Sequence, residues 1–176
     1  RKKPFFLYLA HTMPHNPVDA RPEFFSKTNN PQKGFGASVA EISWSTGEIL
    51  DHLKKEGLDE NTLVIFTSDN GGALRRGASN GILKGAKGKV DEGGIRVPFI
   101  ARWPGKIKSG TTNHTPASVI DFYSTFASLA NVKIDPSVKR DGVDISDYLF
   151  NPQKQREQRS FFYWHVGYLR AIRYGN

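Results

Sequence analysis

The sequence has 176 residues, of which 38% are apolar and 24% are charged, and it contains no Cys. This composition is typical of a globular chain and excludes a disordered polypeptide, a disulfide and a thiolate metal site. The formal net charge is +8. The basic residues are not interleaved with aromatic side chains, so we predict no nucleic-acid partner and consider an anionic ester instead. No apolar run approaches the ~20 residues of a membrane span.

The first half of the chain has two strand-like runs on either side of a helix. Residues 4–10 and 62–67 are continuous apolar, β-prone runs, which predict strands buried on both faces of a mainly parallel sheet. Between them, apolar residues spaced by three and four predict an amphipathic helix over residues 37–56, with Gly57 as its stop. Residues 11–34 are rich in proline and predict a long loop, which in a compact domain is often functional.

The second half continues this alternation. Residues 68–95 are rich in glycine and predict a second long loop. A strand is expected at residues 97–102 and a helix at residues 117–130. The aromatic residues 161–164 and the run 168–174 are typical of a hairpin from a separate small sheet.

These elements predict an α/β fold, with a mainly parallel or mixed sheet flanked by helices. We assign residues 1–150 to this domain and residues 151–176 to the beginning of a small antiparallel C-terminal subdomain.

Asp69 and Asn70 directly follow the predicted strand at residues 62–67. Ligands of open α/β sheets bind outside the carboxyl ends of the strands. A carboxylate beside an amide oxygen suits a hard cation such as Ca²⁺ or Mg²⁺. A plain turn is the alternative, because Asp, Asn and Gly also favour turns. Two ligands are too few for Ca²⁺, which takes about six to eight oxygens, so a metal site here needs ligands from elsewhere.

Two further loops carry side chains that could take part in catalysis or binding. His11 and His15 lie just past the first predicted strand, where they could act as acid/base groups, ligands or plain surface histidines. Lys84, Lys87 and Lys89 lie in a glycine-rich run that matches no phosphate-binding motif, and a flexible basic loop is the alternative. Taken together, a cation pair, a histidine and a lysine at one sheet edge suit hydrolysis of an anionic ester. No nucleophile motif is present.

Four segments resemble the formylglycine-dependent sulfatases of the arylsulfatase type, which belong to the alkaline phosphatase superfamily. They are residues 4–8, 14–17, 63–71 and 87–98. The last segment, Lys-Gly-Lys-Val-Asp-Glu-Gly-Gly-Ile-Arg-Val-Pro, is a specific signal. The resemblance covers nearly the whole chain and implies the α/β fold of that superfamily.

The resemblance also implies roles for individual residues. Asp69 and Asn70 are expected to be the second pair of ligands to Ca²⁺, with Mg²⁺ as the alternative ion. His15 is expected to contact the sulfate and to assist the leaving group, and Lys87 to bind a sulfate oxygen. Residues 92–94 are expected to shape the loop behind Lys87 rather than to react. His11 receives no role.

The family's formylglycine, made from a Cys or Ser, is expected upstream of Arg1 together with the first pair of metal ligands. We therefore expect this chain to be the C-terminal portion of a longer sulfatase and to be inactive alone. The parent is expected to be periplasmic or secreted and to cleave sulfate esters of sugars or polysaccharides. Two alternatives stay open without the nucleophile, namely a phosphonate or phosphate monoester hydrolase of the same superfamily and a non-catalytic degenerate scaffold.

Overall fold

The computed structural model describes residues 3–154 and 158–175, which cluster into two compact units. The first unit comprises the described residues of Arg1–Leu58 and Asp69–Val97, and the second those of Asp59–Ser68 and Pro98–Asn176. The helices are α1 (Lys33–Lys55), α2 (Glu92–Ile95), α3 (Asp121–Leu129) and α4 (Ser146–Phe150), and the strands are β1 (Val64–Thr67), β2 (Phe99–Arg102), β3 (Ser160–His165) and β4 (Tyr168–Tyr174). Short 3₁₀ turns lie at Pro22–Lys27, Asp59–Asn61 and Leu74–Arg76.

Helix α1 organises the first unit and confirms the amphipathic pattern, although it begins at Lys33 rather than at residue 37. Its C-terminus is closed by two hydrogen bonds, from the Leu58 N–H to the Leu53 carbonyl and from the Gly57 N–H to the Lys54 carbonyl. This pair of bonds is the Schellman arrangement that glycine at the C′ position favours. The predicted stop at Gly57 is therefore confirmed.

The second unit contains both sheets, and among the described residues both are antiparallel, whereas the sequence predicts a mainly parallel or mixed sheet. Strands β1 and β2 pair antiparallel, with Thr67 opposite Phe99 and Val64 opposite Arg102. A parallel pair needs a crossover, usually a helix, that returns the chain to the starting end of the sheet. The connection from β1 to β2 contains the 3₁₀ turn Leu74–Arg76 and the four-residue helix α2, and β2 begins opposite the residue at which β1 ends.

Residues 4–10 form no strand, which corrects a second prediction. Phe6, Leu7 and Tyr8 are 74%, 65% and 82% exposed. A strand exists only where its backbone pairs with a neighbour, and the strand pairs described within residues 3–154 and 158–175 join β1 with β2 and β3 with β4. Apolar composition by itself therefore does not produce a strand here.

The core of the second unit includes an ionic contact at the start of α3. Asp121 is fully buried and accepts hydrogen bonds from the backbone N–H groups of Ser118 and Val143 at 2.8 and 3.0 Å. Arg159 forms a bidentate ion pair with the same carboxylate. This contact links the start of α3 to the residue before β3.

The predicted hairpin is confirmed. Strands β3 and β4 pair antiparallel from Ser160 opposite Tyr174 to His165 opposite Tyr168, with a two-residue turn between them. The hairpin belongs to the second compact unit. The assignment of residues 151–176 to a separate subdomain stays a prediction. Of the helices described, none combines the length and the hydropathy that a membrane span requires.

Candidate functional site

All four predicted site residues lie in the first compact unit, on two segments. Asp69, Asn70 and Lys87 belong to residues 69–97, called here the glycine segment. His15 belongs to residues 11–34, called here the histidine loop. Asn30 of the histidine loop donates a hydrogen bond from its side-chain amide to the Gly77 carbonyl of the glycine segment, at 2.8 Å. The two segments are thus joined directly.

Asp69 and Asn70 present oxygen donors at the start of the glycine segment. Asp69 is exposed and Asn70 is half-buried. The Asn70 side-chain nitrogen donates to the Gly71 carbonyl at 2.9 Å, which identifies the amide oxygen as the atom able to act as a ligand. Carboxylate and amide oxygens match the chemistry that Ca²⁺ and Mg²⁺ require.

The two ends of the glycine segment pack backbone against backbone. The Gly71 N–H donates to the Gly94 carbonyl at 2.9 Å, and both glycines are buried. A Cβ on Gly71 would overlap the Gly93 carbonyl, and a Cβ on Gly94 would overlap the Lys89 carbonyl. Any side chain at these two positions would force the two ends of the glycine segment apart. The pairs of glycines after Asn70 and after Glu92 are therefore a steric requirement of this contact.

The backbone of Lys87 is bonded to the stretch that follows Asn70. Its backbone N–H donates to the Gly72 carbonyl at 3.1 Å. Its side chain is exposed, and within the described ranges it forms no salt bridge. Lys84, by contrast, lies 3.7 Å from the Asp91 carboxylate. Of these two lysines, Lys87 is the one whose charge is available to an anion.

Asn80 completes the network, and sequence reasoning did not single it out. Its side-chain oxygen accepts from the Gly72 N–H at 2.8 Å, and its side-chain nitrogen donates to the Gly85 carbonyl at 2.9 Å. Asn80 therefore holds the two stretches of the segment that precede Lys87. In sequence, an Asn among glycines cannot be distinguished from an ordinary turn residue.

The expectation that residues 92–94 shape the loop agrees with their contacts. The Gly93 N–H donates to the Lys84 carbonyl at 2.7 Å, and the Gly94 N–H donates to the Asp91 carbonyl at 2.8 Å. These bonds hold the last residues of the glycine segment against the backbone on either side of Lys87. The Glu92 carboxylate faces Arg96, at 3.5 Å.

His15 is exposed and has a defined ring orientation. Its Nδ1 lies 3.1 Å from the Asn16 carbonyl oxygen, which can only accept, so Nδ1 carries the proton of that hydrogen bond. Nε2 is then the ring nitrogen that this hydrogen bond leaves available. No hydrogen bond among the described residues joins His15 to Asp69 or to Lys87. His11 is also exposed, and the structure suggests no role for it.

The histidine loop is held on α1 by side chains. The Ser38 hydroxyl donates to the Asp19 carbonyl at 2.7 Å. Glu41 accepts from the Arg21 backbone N–H and guanidinium at 2.9 and 2.7 Å, and these bonds lower the pKa of the Glu41 carboxyl. Phe24 is buried, with its ring centre 5.9 Å from that of Trp44.

The side-chain oxygens of Asp69 and Asn70 are the type of ligand that a hard cation binds, but two ligands are too few to hold one. Among residues 3–154 and 158–175, no three His, Asp or Glu side chains cluster as metal ligands would. Asp69 and Asn70 therefore stay a predicted pair of metal ligands.

Known proteins match this chain over nearly its whole length. Residues 1–132 match the family model described as Sulfatase. The chain is 34% identical over 184 residues to the steryl-sulfatase of Mus musculus, with 100% of this chain and 29% of that protein covered. It is 39% identical over 164 residues to arylsulfatase A of Homo sapiens, with 92% of this chain and 32% of that protein covered.

A solved structure agrees with this match. The crystal structure of Ps i-CgsB in complex with k-i-k-neocarrahexaose superposes with a TM-score of 0.87 at 37% identity, over 99% of this chain and 40% of that chain. This chain therefore spans about a third of the length of the curated relatives it matches.

Proposed function

Because this chain belongs to the sulfatase family, a family of sulfuric ester hydrolases, we propose that it forms part of an enzyme that hydrolyses sulfate esters. The observation that supports this most is the 3.1 Å hydrogen bond from the Lys87 N–H to the Gly72 carbonyl. It joins the backbone of Lys87 to the stretch that directly follows Asp69 and Asn70. A basic residue and two oxygen ligands on neighbouring stretches of backbone are an arrangement suited to an anionic ester.

Lys87 supplies positive charge to the sulfate. Its ammonium group is exposed and forms no salt bridge within the described ranges, so it can bind a non-bridging oxygen without first leaving a carboxylate. The negative charge on the ester oxygens shifts as the S–O bond to the alcohol breaks. The positive charge of Lys87 near these oxygens stabilises the transition state electrostatically.

His15 protonates the departing alcohol. Its Nδ1 is engaged with the Asn16 carbonyl, which leaves Nε2 to hold the transferable proton. When the ring is cationic, Nε2–H donates to the ester oxygen, and this oxygen leaves as a neutral alcohol. Proton donation matters most for esters of ordinary alcohols, because an alkoxide is a poor leaving group.

Asp69 and Asn70 would hold the metal ion, Ca²⁺ or Mg²⁺, together with ligands from outside this chain. When bound, the metal supplies further positive charge to the ester oxygens. The nucleophile, a formylglycine by resemblance, would also come from a part of the parent protein outside this sequence. We therefore expect the chain alone to show no turnover.

We propose sulfated sugars or polysaccharides as substrates and a periplasmic or secreted location. The superposed Ps i-CgsB structure holds an oligosaccharide, k-i-k-neocarrahexaose, which supports this class. A relative that is named a steryl-sulfatase shows that family membership does not fix the alcohol part of the ester.

The test uses the parent enzyme with the substitutions Lys87→Ala and His15→Ala, and Lys89→Ala as the matched control from the same loop. Both site variants are expected to lose about 100-fold or more in kcat/KM for a sulfate ester. For His15→Ala the loss should be larger with a sugar sulfate than with a nitrophenyl sulfate, whose leaving group needs no proton. Lys89→Ala should retain turnover.

Three outcomes would contradict the proposal. Turnover of Lys87→Ala near that of the unsubstituted enzyme would remove Lys87 from the site. A parent that prefers phosphate or phosphonate esters over sulfate esters would support the phosphoester alternative. A parent without turnover of any of these esters would leave the scaffold interpretation.

A further inference from the structure

A groove of about 680 Å³ lies within the first compact unit, beside the histidine loop. Its walls come from residues 16–18, from residues 31–35 around the start of α1, and from Arg76 of the glycine segment. The groove thus lies where the two segments that carry the predicted site residues meet. Of the lining residues, only Asn16, whose carbonyl accepts from the His15 ring, takes part in the hydrolysis described above.

The groove carries positive charge that no acid balances. Lys33 and Arg76 line it, and no Asp or Glu does. Among residues 3–154 and 158–175, neither basic side chain forms a salt bridge, whereas Arg21, Arg96, Arg102 and Arg159 each do. Two cations in one concave site, without a carboxylate partner, favour an anionic ligand.

The rest of the lining suits a carbohydrate. Asn16 and Gln32 offer side-chain amides, which can bind hydroxyl groups. Pro17 and Phe35 offer apolar surface, which suits the C–H face of a sugar ring. A groove that combines amides, apolar faces and cations matches a charged saccharide better than a sterol.

The groove is continuous with His15 through Asn16. The Asn16 backbone carbonyl accepts the hydrogen bond from the His15 ring, and Asn16 itself lines the groove. A substrate held by His15 would therefore lie next to a residue that lines the groove. The part of the substrate next to the scissile sulfate is the part that would enter it.

The position of Arg76 is also determined by the fold. The next residue, Gly77, has its carbonyl held by the Asn30 side chain at 2.8 Å and packs against Gln32. Asn30 and Gln32 belong to the histidine loop, so the backbone next to Arg76 is anchored beside the groove. Arg75, its neighbour in the same 3₁₀ turn, does not line the groove.

We propose that this groove binds a second anionic group of the substrate, a sulfate or a carboxylate on the sugar next to the one that carries the scissile sulfate. Arg76 is the specificity-determining residue, and Lys33 assists it. This inference rests on the proposed sulfatase function and narrows it, because it predicts a substrate with at least two negative charges on neighbouring sugars.

The test uses the parent enzyme and three disaccharides with the same scissile sulfate. The neighbouring sugar carries a second sulfate, a carboxylate, or hydroxyl groups only. The measured quantity is the ratio of kcat/KM for a charged neighbour to kcat/KM for the uncharged one. Arg76→Ala is expected to lower this ratio about tenfold or more, the loss typical of a charge-assisted hydrogen bond. Arg75→Ala should leave the ratio unchanged.

The outcomes separate this inference from the function on which it rests. A ratio that falls only for the sulfated neighbour supports a polysulfated substrate, and one that falls only for the carboxylate supports a uronic acid. An unchanged ratio in Arg76→Ala, with all three disaccharides hydrolysed, overturns the groove proposal alone. A parent that hydrolyses no sulfate ester overturns both. Equal thermal midpoints of the two variants exclude misfolding as the cause.

Discussion

The glycine segment and the histidine loop both carry predicted site residues, yet they are held in place by different interactions. The glycine segment is joined by bonds between its own backbone groups, such as Gly71 to Gly94 and Lys87 to Gly72. The histidine loop is held mainly by side chains of α1, through Ser38 and Glu41.

This difference indicates which positions of each segment tolerate substitution. Backbone groups can approach each other closely only where no Cβ intervenes. Substitution of a buried glycine in the glycine segment should therefore cause a large loss in the free energy of unfolding. Each side-chain contact contributes a modest amount to stability and can be removed alone. Single substitutions that affect the histidine loop should therefore each cause a small loss in the free energy of unfolding. Three predictions test this comparison.

The largest effect is expected from Gly94→Ala. The added methyl group would overlap the backbone carbonyl of Lys89 and would crowd that of Ala86, neither of which can rotate away. We expect a loss of about 3 kcal/mol or more in the free energy of unfolding, measured with urea on the intact protein. Turnover should fall as well, because the displaced backbone flanks Lys87.

Gly47→Ala is the matched control for this substitution. Gly47 lies inside α1, and a Cβ there meets nothing within 4 Å. Alanine should stabilise the helix by about 0.5–1 kcal/mol. Equal effects of the two substitutions would contradict the backbone-packing account of the glycine segment.

Ser38→Ala is expected to have an intermediate effect. The Ser38 side chain is fully buried, and its hydroxyl donates to the Asp19 carbonyl at 2.7 Å. Removing the hydroxyl leaves that carbonyl without this donor, at a cost of about 1–2 kcal/mol in urea unfolding. Ser43→Ala, on an exposed part of the same helix, should change stability by less than about 0.5 kcal/mol.

The smallest effect concerns the dependence of stability on pH. Hydrogen bonds from Arg21 lower the pKa of Glu41 in the folded protein. A carboxyl whose folded pKa is depressed contributes stability above its unfolded pKa, and this contribution disappears as the pH falls through the folded pKa. The stability difference between the unsubstituted protein and Glu41→Gln should therefore shrink from neutral pH into acid.

An NMR titration of Glu41 checks the origin of this shift. Its midpoint should lie below the ordinary range for glutamate and should rise in Arg21→Gln. A midpoint that does not move in that variant would show that Arg21 is not the cause.

The candidate site residues could be proposed from the sequence because they occur in recognisable local patterns. Asp69, Asn70 and Lys87 stand in glycine-rich runs, and the backbone of Lys87 is bonded to Gly72, two residues after Asn70. Asn80 and Arg76 could not be predicted in this way. Their contacts, Asn80 to Gly72 and Arg76 beside Gln32, join residues that are separated along the chain.

The sequence by itself determined the elements whose causes are local. The three- and four-residue spacing predicted α1, Gly57 predicted its end, and the aromatic runs predicted the β3–β4 hairpin. Helical hydrogen bonds, C-terminal caps and two-residue turns involve residues close in sequence, so local patterns are sufficient to predict them.

Only the tertiary structure decided the pairing of β1 with β2, the exposure of residues 4–10 and the composition of the groove. A run of apolar residues shows that a segment can be buried, but not which neighbour its backbone will meet. Strand direction and groove lining depend on contacts between distant residues, and these contacts form only when the chain has folded.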